Sequence, residues 1–335
     1  MSKTDIIVIG TATFDTFLKG FKYEIINSNV FTNGKALALG YGEKEKTQIL
    51  EYHAGGGAVN IASCLSGFGL KTSIISRIAK DYSGEFVFKR IKEKKNIQTQ
   101  LIEYDRKEKT SSSVILIAGN GEKTILSYKG CSLNLEVNKK SLNNIRTKVL
   151  VTSTMMGNVN NFEAVFEYKK KYPETLLVAN PGFSDLEVLK KNVDWLKNYD
   201  VFVLNQEEAS YLTDLDFKKE KEIFNWLNEH VQGVCIMTRG PEGLMFSEGN
   251  DIYMAKISQP VVVIDGTGAG DGFLAGFILG YYKEKDTQYG IKFGLANSTQ
   301  IIEKIGAHEG VINPEDLKLE RWKNKFEIIN ISKLS

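Results

Sequence analysis

One stretch limits this chain more than any other: Asp265-Gly-Thr-Gly-Ala-Gly-Asp271-Gly-Phe273. The apolar run Val261–Ile264 leads into it, and Phe273, Leu274, Ala275, Phe277, Ile278 and Leu279 follow at the spacing of a buried helix. The pattern predicts strand, glycine turn, helix. Gly266, Gly268 and Gly270 strip the turn of side chains, so an anion can approach the backbone amides that open the helix. Asp271 sits beside those amides, where a carboxylate can accept a proton from an incoming hydroxyl. An acid in a first helical turn also has an ordinary explanation, the helix dipole.

The rest of the chain supplies the frame for that turn. Its 335 residues, 42% of them hydrophobic, suit one large α/β unit with an appendage. From Val149 onward, strand and helix patterns alternate: 149–152, 163–170, 176–179, 186–195 and 201–204. That is the rhythm of a parallel sheet, and no proline- or Ser/Gly-rich linker interrupts it. Asp5–Asp15 reads as a first apolar strand ending in an acid, where open α/β sheets bind ligands, although Asp15 could equally cap a turn. Residues 16–54 read as short antiparallel strands broken at 27–29, Asn33-Gly34 and 40–42. Further strands are expected near 99–103, 112–118 and 123–128, with an Asn120-Gly121 hairpin turn between the last two.

Composition excludes several classes. A net charge of +2 with interspersed signs gives no reason to propose nucleic acid or a membrane as partner. Cys64, Cys131 and Cys235 are dispersed, as are the three histidines, so neither a disulfide framework nor a zinc site is suggested and a reducing cytoplasm is expected. The run Ile6–Ile9 is too short for a signal segment, and no stretch suits a membrane span.

The glycine motif resembles the C-terminal signature of the PfkB-type carbohydrate kinases, the ribokinase family, Asp-x-x-Gly-Ala-Gly-Asp. The resemblance implies a ribokinase-like α/β/α sandwich with a mostly parallel sheet. It implies one kinase domain over 1–335, with a β-sheet lid formed by about 16–54 and 108–129. It makes Asp271 the catalytic base and the amides of Gly268, Ala269 and Gly270 the anion hole. The run from Gly55 through Asn60 to Gly69 resembles the family's N-terminal signature, which implies that Asp15, Gly56, Gly57 and Asn60 meet substrate hydroxyls.

On the nucleotide side, Asn180 and Asn205-Gln-Glu-Glu208 follow predicted strands. An Asn with Glu three residues on is most simply a helix cap with its capping box. The family's Asn-x-x-Glu instead organises Mg²⁺ and phosphates, with Glu208 acting through water. The loop Thr238-Arg-Gly240-Pro-Glu-Gly243 resembles the family's ATP-contacting turn, and a helix over about 286–302 would line the adenine pocket with Asn297 as its candidate. Backbone oxygens around Asp265 and Thr267 would take a monovalent cation, K⁺, as in some members. Lid sheets in this family often pair between subunits, so a homodimer through the lid is one arrangement the resemblance allows.

The expected activity is therefore ATP-dependent phosphorylation of a sugar or nucleoside hydroxyl, an adenosine-like nucleoside kinase being the first alternative. A dinucleotide oxidoreductase fits worse, because taking Gly266 and Gly268 as the first pair of its fingerprint puts Asp271 where the third glycine belongs. A non-catalytic sugar- or nucleotide-binding regulator on the same fold has no need of the base and the glycines that this chain keeps. Gly57 stands where many members place lysine, and Thr154-Met155-Met156 lacks the acid of ribose-specific members. With no arginine for an acidic keto-sugar, fructose-like sugars and nucleosides come first.

Overall fold

The computed structural model describes residues 4–31, 34–119, 122–318 and 321–332. Strand Ile6–Ile9 is apolar at every position and buried at every position, as a central strand covered on both faces must be. Its side chains alternate between two cores. Ile6 and Val8 pack with helices Gly57–Gly67 and Ala269–Glu284, whereas Ile7 and Ile9 pack with helix Val159–Lys171 on the opposite face. This gives three layers, helix, sheet and helix.

Among the described residues the sheet has eleven strands. Ile6–Ile9 pairs in parallel with Thr72–Ala79 on one side and Val149–Thr152 on the other. Leu176–Ala179, Val201–Asn205 and Val234–Thr238 continue outward in parallel. Leu244–Glu248, Asp251–Ile257 and Phe326–Asn330 finish that edge as an antiparallel meander. The expected βα rhythm is thus present, with helices Val159–Lys171 and Phe183–Lys191 close to their predicted ranges. The strand expected near 99–103 is divided between Ile97–Gln98 and Ile102–Asp105, both paired with Thr72–Ala79.

The segments expected to form the lid build a separate four-stranded sheet. Thr13–Lys19 lies at its centre, antiparallel to Ile49–Gly55 and parallel to Ser112–Ile117, which in turn pairs with Lys123–Tyr128. The far part of the 16–54 segment is a two-stranded ribbon, Glu24–Asn27 with Lys35–Ala38. Asn33 and the Asn120-Gly121 turn lie outside the described residues, although Ile117 and Lys123 on either side of that turn are register partners.

Two expectations fail here. Asp15 does not end the first parallel strand, because the chain leaves the main sheet after Ile9 and Asp15 lies within the four-stranded one. The run Val261–Ile264 is not a strand, and Val262 is 71% exposed. Pro260 removes one donor ahead of it, and Ile264 hydrogen-bonds to the end of a helix, at Ile302. The two helices that follow the glycine turn pack very closely: a Cβ on Gly276 would lie 2.9 Å from the Gly294 Cα. Among the described residues no helix is long and apolar enough to cross a membrane.

Candidate active site

The glycine turn is held from below by Asp265. Its fully buried carboxylate accepts from Thr267 N at 2.9 Å and from Gly306 N at 3.0 Å, so both oxygens are committed to the backbone. Gly268 then caps helix Ala269–Glu284 in the left-handed region, φ 76°. A Cβ there would stand 2.1 Å from the Ala307 carbonyl oxygen, whereas one on Gly270 would meet open space. The turn is therefore tight on its inner side and bare on its outer side, where the first helical amides have no partner within the helix. Gly268→Ala is expected to cost about 3 kcal/mol of stability from overpacking and left-handed strain, read by urea unfolding.

Asp271 lies one turn into that helix. Burial raises its pKa to about 6, against opposing contributions from Asn60, Lys123 and His308. Asn60, on helix Gly57–Gly67, donates from Nδ2 to Asp271 Oδ2 at 2.9 Å. The other end of that amide, Oδ1, is buried with no hydrogen-bond partner. Asp15 is 6% exposed, and its pKa is raised to about 7 by burial, with Ser113 lowering it and the Asp271 charge adding to the rise. The glycines around them leave room for these groups. A Cβ on Gly55 would lie 1.9 Å from Asp15 Oδ2, and one on Gly57 would lie 2.0 Å from Ser153 Oγ. Gly56 adopts φ 88° at the cap of the helix. Asp15, Asn60, Asp271 and the 55–57 turn thus form one polar cluster rich in acceptors.

On the other side of the turn lies a cleft of about 620 Å³. Thr238, Gly240 and Gly243 form one wall and Gly266, Ala269 and Gly270 another, while Leu244, Ile257, Phe273, Leu295 and Ile302 make its floor apolar. Val261 and Val263 also line it, which is the work their hydrophobicity does in place of sheet pairing.

Asn297 does not line this cleft. It is fully buried, donating to Gly272 O at 2.7 Å and accepting from Ile312 N at 3.1 Å, so it joins the two long helices. Ser298 and Thr299 stand at the wall in its place. Asn180 follows its strand as expected, with its amide bonded to Thr152 O at 2.8 Å.

Asn205 and Glu208 form a reciprocal capping box, each accepting from the other's amide at 2.8 Å. The ordinary explanation of that pair therefore holds for part of each side chain. Burial nonetheless raises the Glu208 pKa to about 7, with the charges of Asp271 and Glu207 adding to it. A carboxylate held so near neutrality gains from any cation placed beside it. Among the described residues no three His, Cys, Asp or Glu side chains gather tightly enough to hold a metal. A magnesium ion here would thus depend on water and phosphate oxygens, as that ion commonly does. Thr267 Oγ1 is buried and unpartnered beside Asp265, which suits a small cation better than an anion.

Sequence reasoning missed Lys123. From strand Lys123–Tyr128 it reaches the cleft wall, where burial lowers its pKa against the charges of Asp265 and Asp271. It also missed Ser113, the register partner of Asp15, and His308.

The sequence profile described as "pfkB family carbohydrate kinase" matches residues 6–314. The chain belongs to that family. The 5-dehydro-2-deoxygluconokinase of Clostridium botulinum is 26% identical over 84% of this chain and 87% of its own. The nucleoside kinase of Methanocaldococcus jannaschii, an archaeal member of the ribokinase family, superposes with a TM-score of 0.72 at 20% identity, covering 95% of this chain and 98% of that one. Arabidopsis thaliana ribokinase, solved with ribose and ATP, superposes with a TM-score of 0.70 at 16% identity over 93% of this pfkB-family chain and 96% of its own. The fold is ribokinase-like, and the chain is a carbohydrate or nucleoside kinase.

Proposed function

We propose that this kinase transfers the terminal phosphoryl group of ATP to a hydroxyl of a neutral sugar or nucleoside. The observation that carries the reading is the position of Asp271. It lies between a cluster of hydrogen-bond acceptors and a cleft edged by bare helix-opening amides, with Asn60 holding one of its oxygens at 2.9 Å.

In this reading the domain spans 1–335, the four-stranded sheet is its lid, and the acceptor lies between lid and glycine turn. Asp15 and Asn60 Oδ1 accept from its spectator hydroxyls, since a buried orphan acceptor gains most from a donor. Asp271 takes the proton of the reacting hydroxyl, and the Gly268–Gly270 amides hold the charge that builds on the phosphoryl oxygens. Thr238, Gly240 and Gly243, which line the cleft, contact the nucleotide, and Asn180 and Asn205, at the ends of their strands, flank its phosphates. Mg²⁺, with Glu208 acting through water, offsets phosphate charge when bound. Asp265 backbone and Thr267 offer K⁺ a place that the buried Thr267 hydroxyl supports.

Neutrality of the acceptor follows from the charges that face it. An anionic sugar beside Asn60 would meet the carboxylates of Asp271 and Asp15, whose two charges the Lys123 ammonium offsets only in part. A coupled ADP-release assay over fructose-like sugars, inosine, adenosine and an acidic keto-sugar tests this. Turnover with a neutral acceptor is expected, and turnover with the acidic sugar alone would overturn it. No ADP release with any acceptor, together with tight ligand binding, would favour the regulator.

The lid also supports a homodimer. Strand register puts Leu18, Leu50, Leu116, Val114, Tyr52 and Leu126 on the sheet face opposite to Asp15 and Phe17. Beyond helix Tyr82–Lys92, which packs on Phe14 beside Tyr52, that face is apolar and uncovered, with Leu126 61% and Leu50 51% exposed. Leu126→Asp should weaken self-association about thirtyfold in sedimentation velocity. The three buried, unpaired cysteines agree with a cytoplasmic setting.

A further inference from the structure

The loop after helix Thr287–Ile302 touches both halves of the site. On the nucleotide side, Gly306 N donates to Asp265 at 3.0 Å, and Ala307 closes against Gly268. On the acceptor side, His308 Nε2 lies 3.0 Å from Ala54 O, at the root of strand Ile49–Gly55. Ile305 packs under Phe17, Ile115 and Ile117 of the four-stranded sheet. Four consecutive residues therefore join the anion turn to the strand that delivers Gly55 to Asp15 and leads into the Gly56-Gly57 turn.

The chemistry of His308 makes that join directional. Facing a carbonyl, Nε2 must be the donor. Nδ1 is buried without a hydrogen-bond partner, and its nearest carboxylate is Glu309, 3.5 Å away. Both the neutral Nε2–H tautomer and the imidazolium carry the required proton, so the bond to Ala54 does not depend on the charge of the ring. Its constancy suits a mechanical link better than a pH switch. No step proposed for the reaction uses this side chain.

We propose that His308 is a positioning residue that couples nucleotide binding to ordering of the lid. Filling the anion turn fixes the 265–268 loop, the 305–308 loop follows through Gly306 and Ala307, and His308 draws the root of strand Ile49–Gly55 into place for the acceptor. The inference rests on reading Gly268–Gly270 as the nucleotide anion hole.

The test is amide hydrogen exchange of residues 49–55 with and without β,γ-imido-ATP and MgCl₂, in wild type, His308→Ala and His308→Gln. Wild-type exchange is expected to slow about fivefold or more when the analogue binds. His308→Ala should still bind the analogue, with Kd weakened by no more than the lost coupling of about fivefold, yet lose that slowing, and His308→Gln, which keeps a donor at the same reach, should restore it. A merely structural histidine would instead change exchange equally with and without analogue. Slowing in His308→Ala equal to wild type overturns the inference, as does analogue binding to wild type without any slowing. Failure of the analogue to bind wild type at all would overturn the nucleotide reading itself, and the inference with it.

Discussion

Asp271→Asn is expected to lower kcat about 10³-fold while ATP and acceptor still bind with near wild-type affinity. Asparagine keeps the size of the side chain and an oxygen for the Asn60 Nδ2 hydrogen bond, so the local packing survives. What disappears is the ability to take a proton. Dissociation constants from titration and kcat from the coupled assay separate the two effects. A variant retaining a tenth of the wild-type rate would remove Asp271 from the role of base. The pH profile is a second check. Burial raises this carboxyl to about 6, so the base form is lost as pH falls through that value. Below it, kcat/KM should drop about tenfold per unit, and above it that limb should be flat. Asp15, raised to about 7 and coupled to Asp271 by like charge, would steepen the fall if the acceptor needs its ionised form.

The parts of this molecule that could be read from sequence are those whose cause is local. The glycine turn announces itself because only glycine tolerates φ 76° against the Ala307 carbonyl at position 268. The central strands are legible because four consecutive apolar residues, as in Ile6–Ile9, suit a sheet covered on both faces. Val261–Ile264 carries the same apolar signature for a different reason, since two of its residues wall the cleft beside the glycine turn. Periodicity alone has no means of separating those uses. Asn297 was placed in the right helix and on the wrong face, because a buried amide bridging Gly272 and Ile312 looks in sequence like one awaiting a ligand. His308 and Lys123 depend on contacts far away in sequence. Their roles required knowing that Thr13–Lys19 pairs in parallel with Ser112–Ile117 and that the 305–308 loop folds beneath that sheet.

Lys123→Met, the second large effect, tests the least sequence-legible part of the site. Two register steps set its place: Lys19 opposes Ile117, and Ile117 opposes Lys123, so Lys123 shares the inner face of the lid with Phe17 and Asp15. There it stands at the cleft wall with Gly266, Ala269 and Gly270, and its charge reaches Asp271. In the proposed reaction an ammonium in that place would stabilise the negative charge on the phosphoryl group as it transfers, while shielding Asp271 from the repulsion that charge creates. Methionine fills much of the same volume without the charge, and kcat should fall about 10²-fold. The pH dependence discriminates this from lost packing. Lys123 lowers the Asp271 pKa, so its removal should move the acid limb of kcat/KM to higher pH than the wild-type value near 6. Lys123→Arg should restore the limb and much of the rate, since it returns a cation to the same strand. A methionine variant with a lower kcat but an unmoved limb would mean that Lys123 acts on lid closure alone.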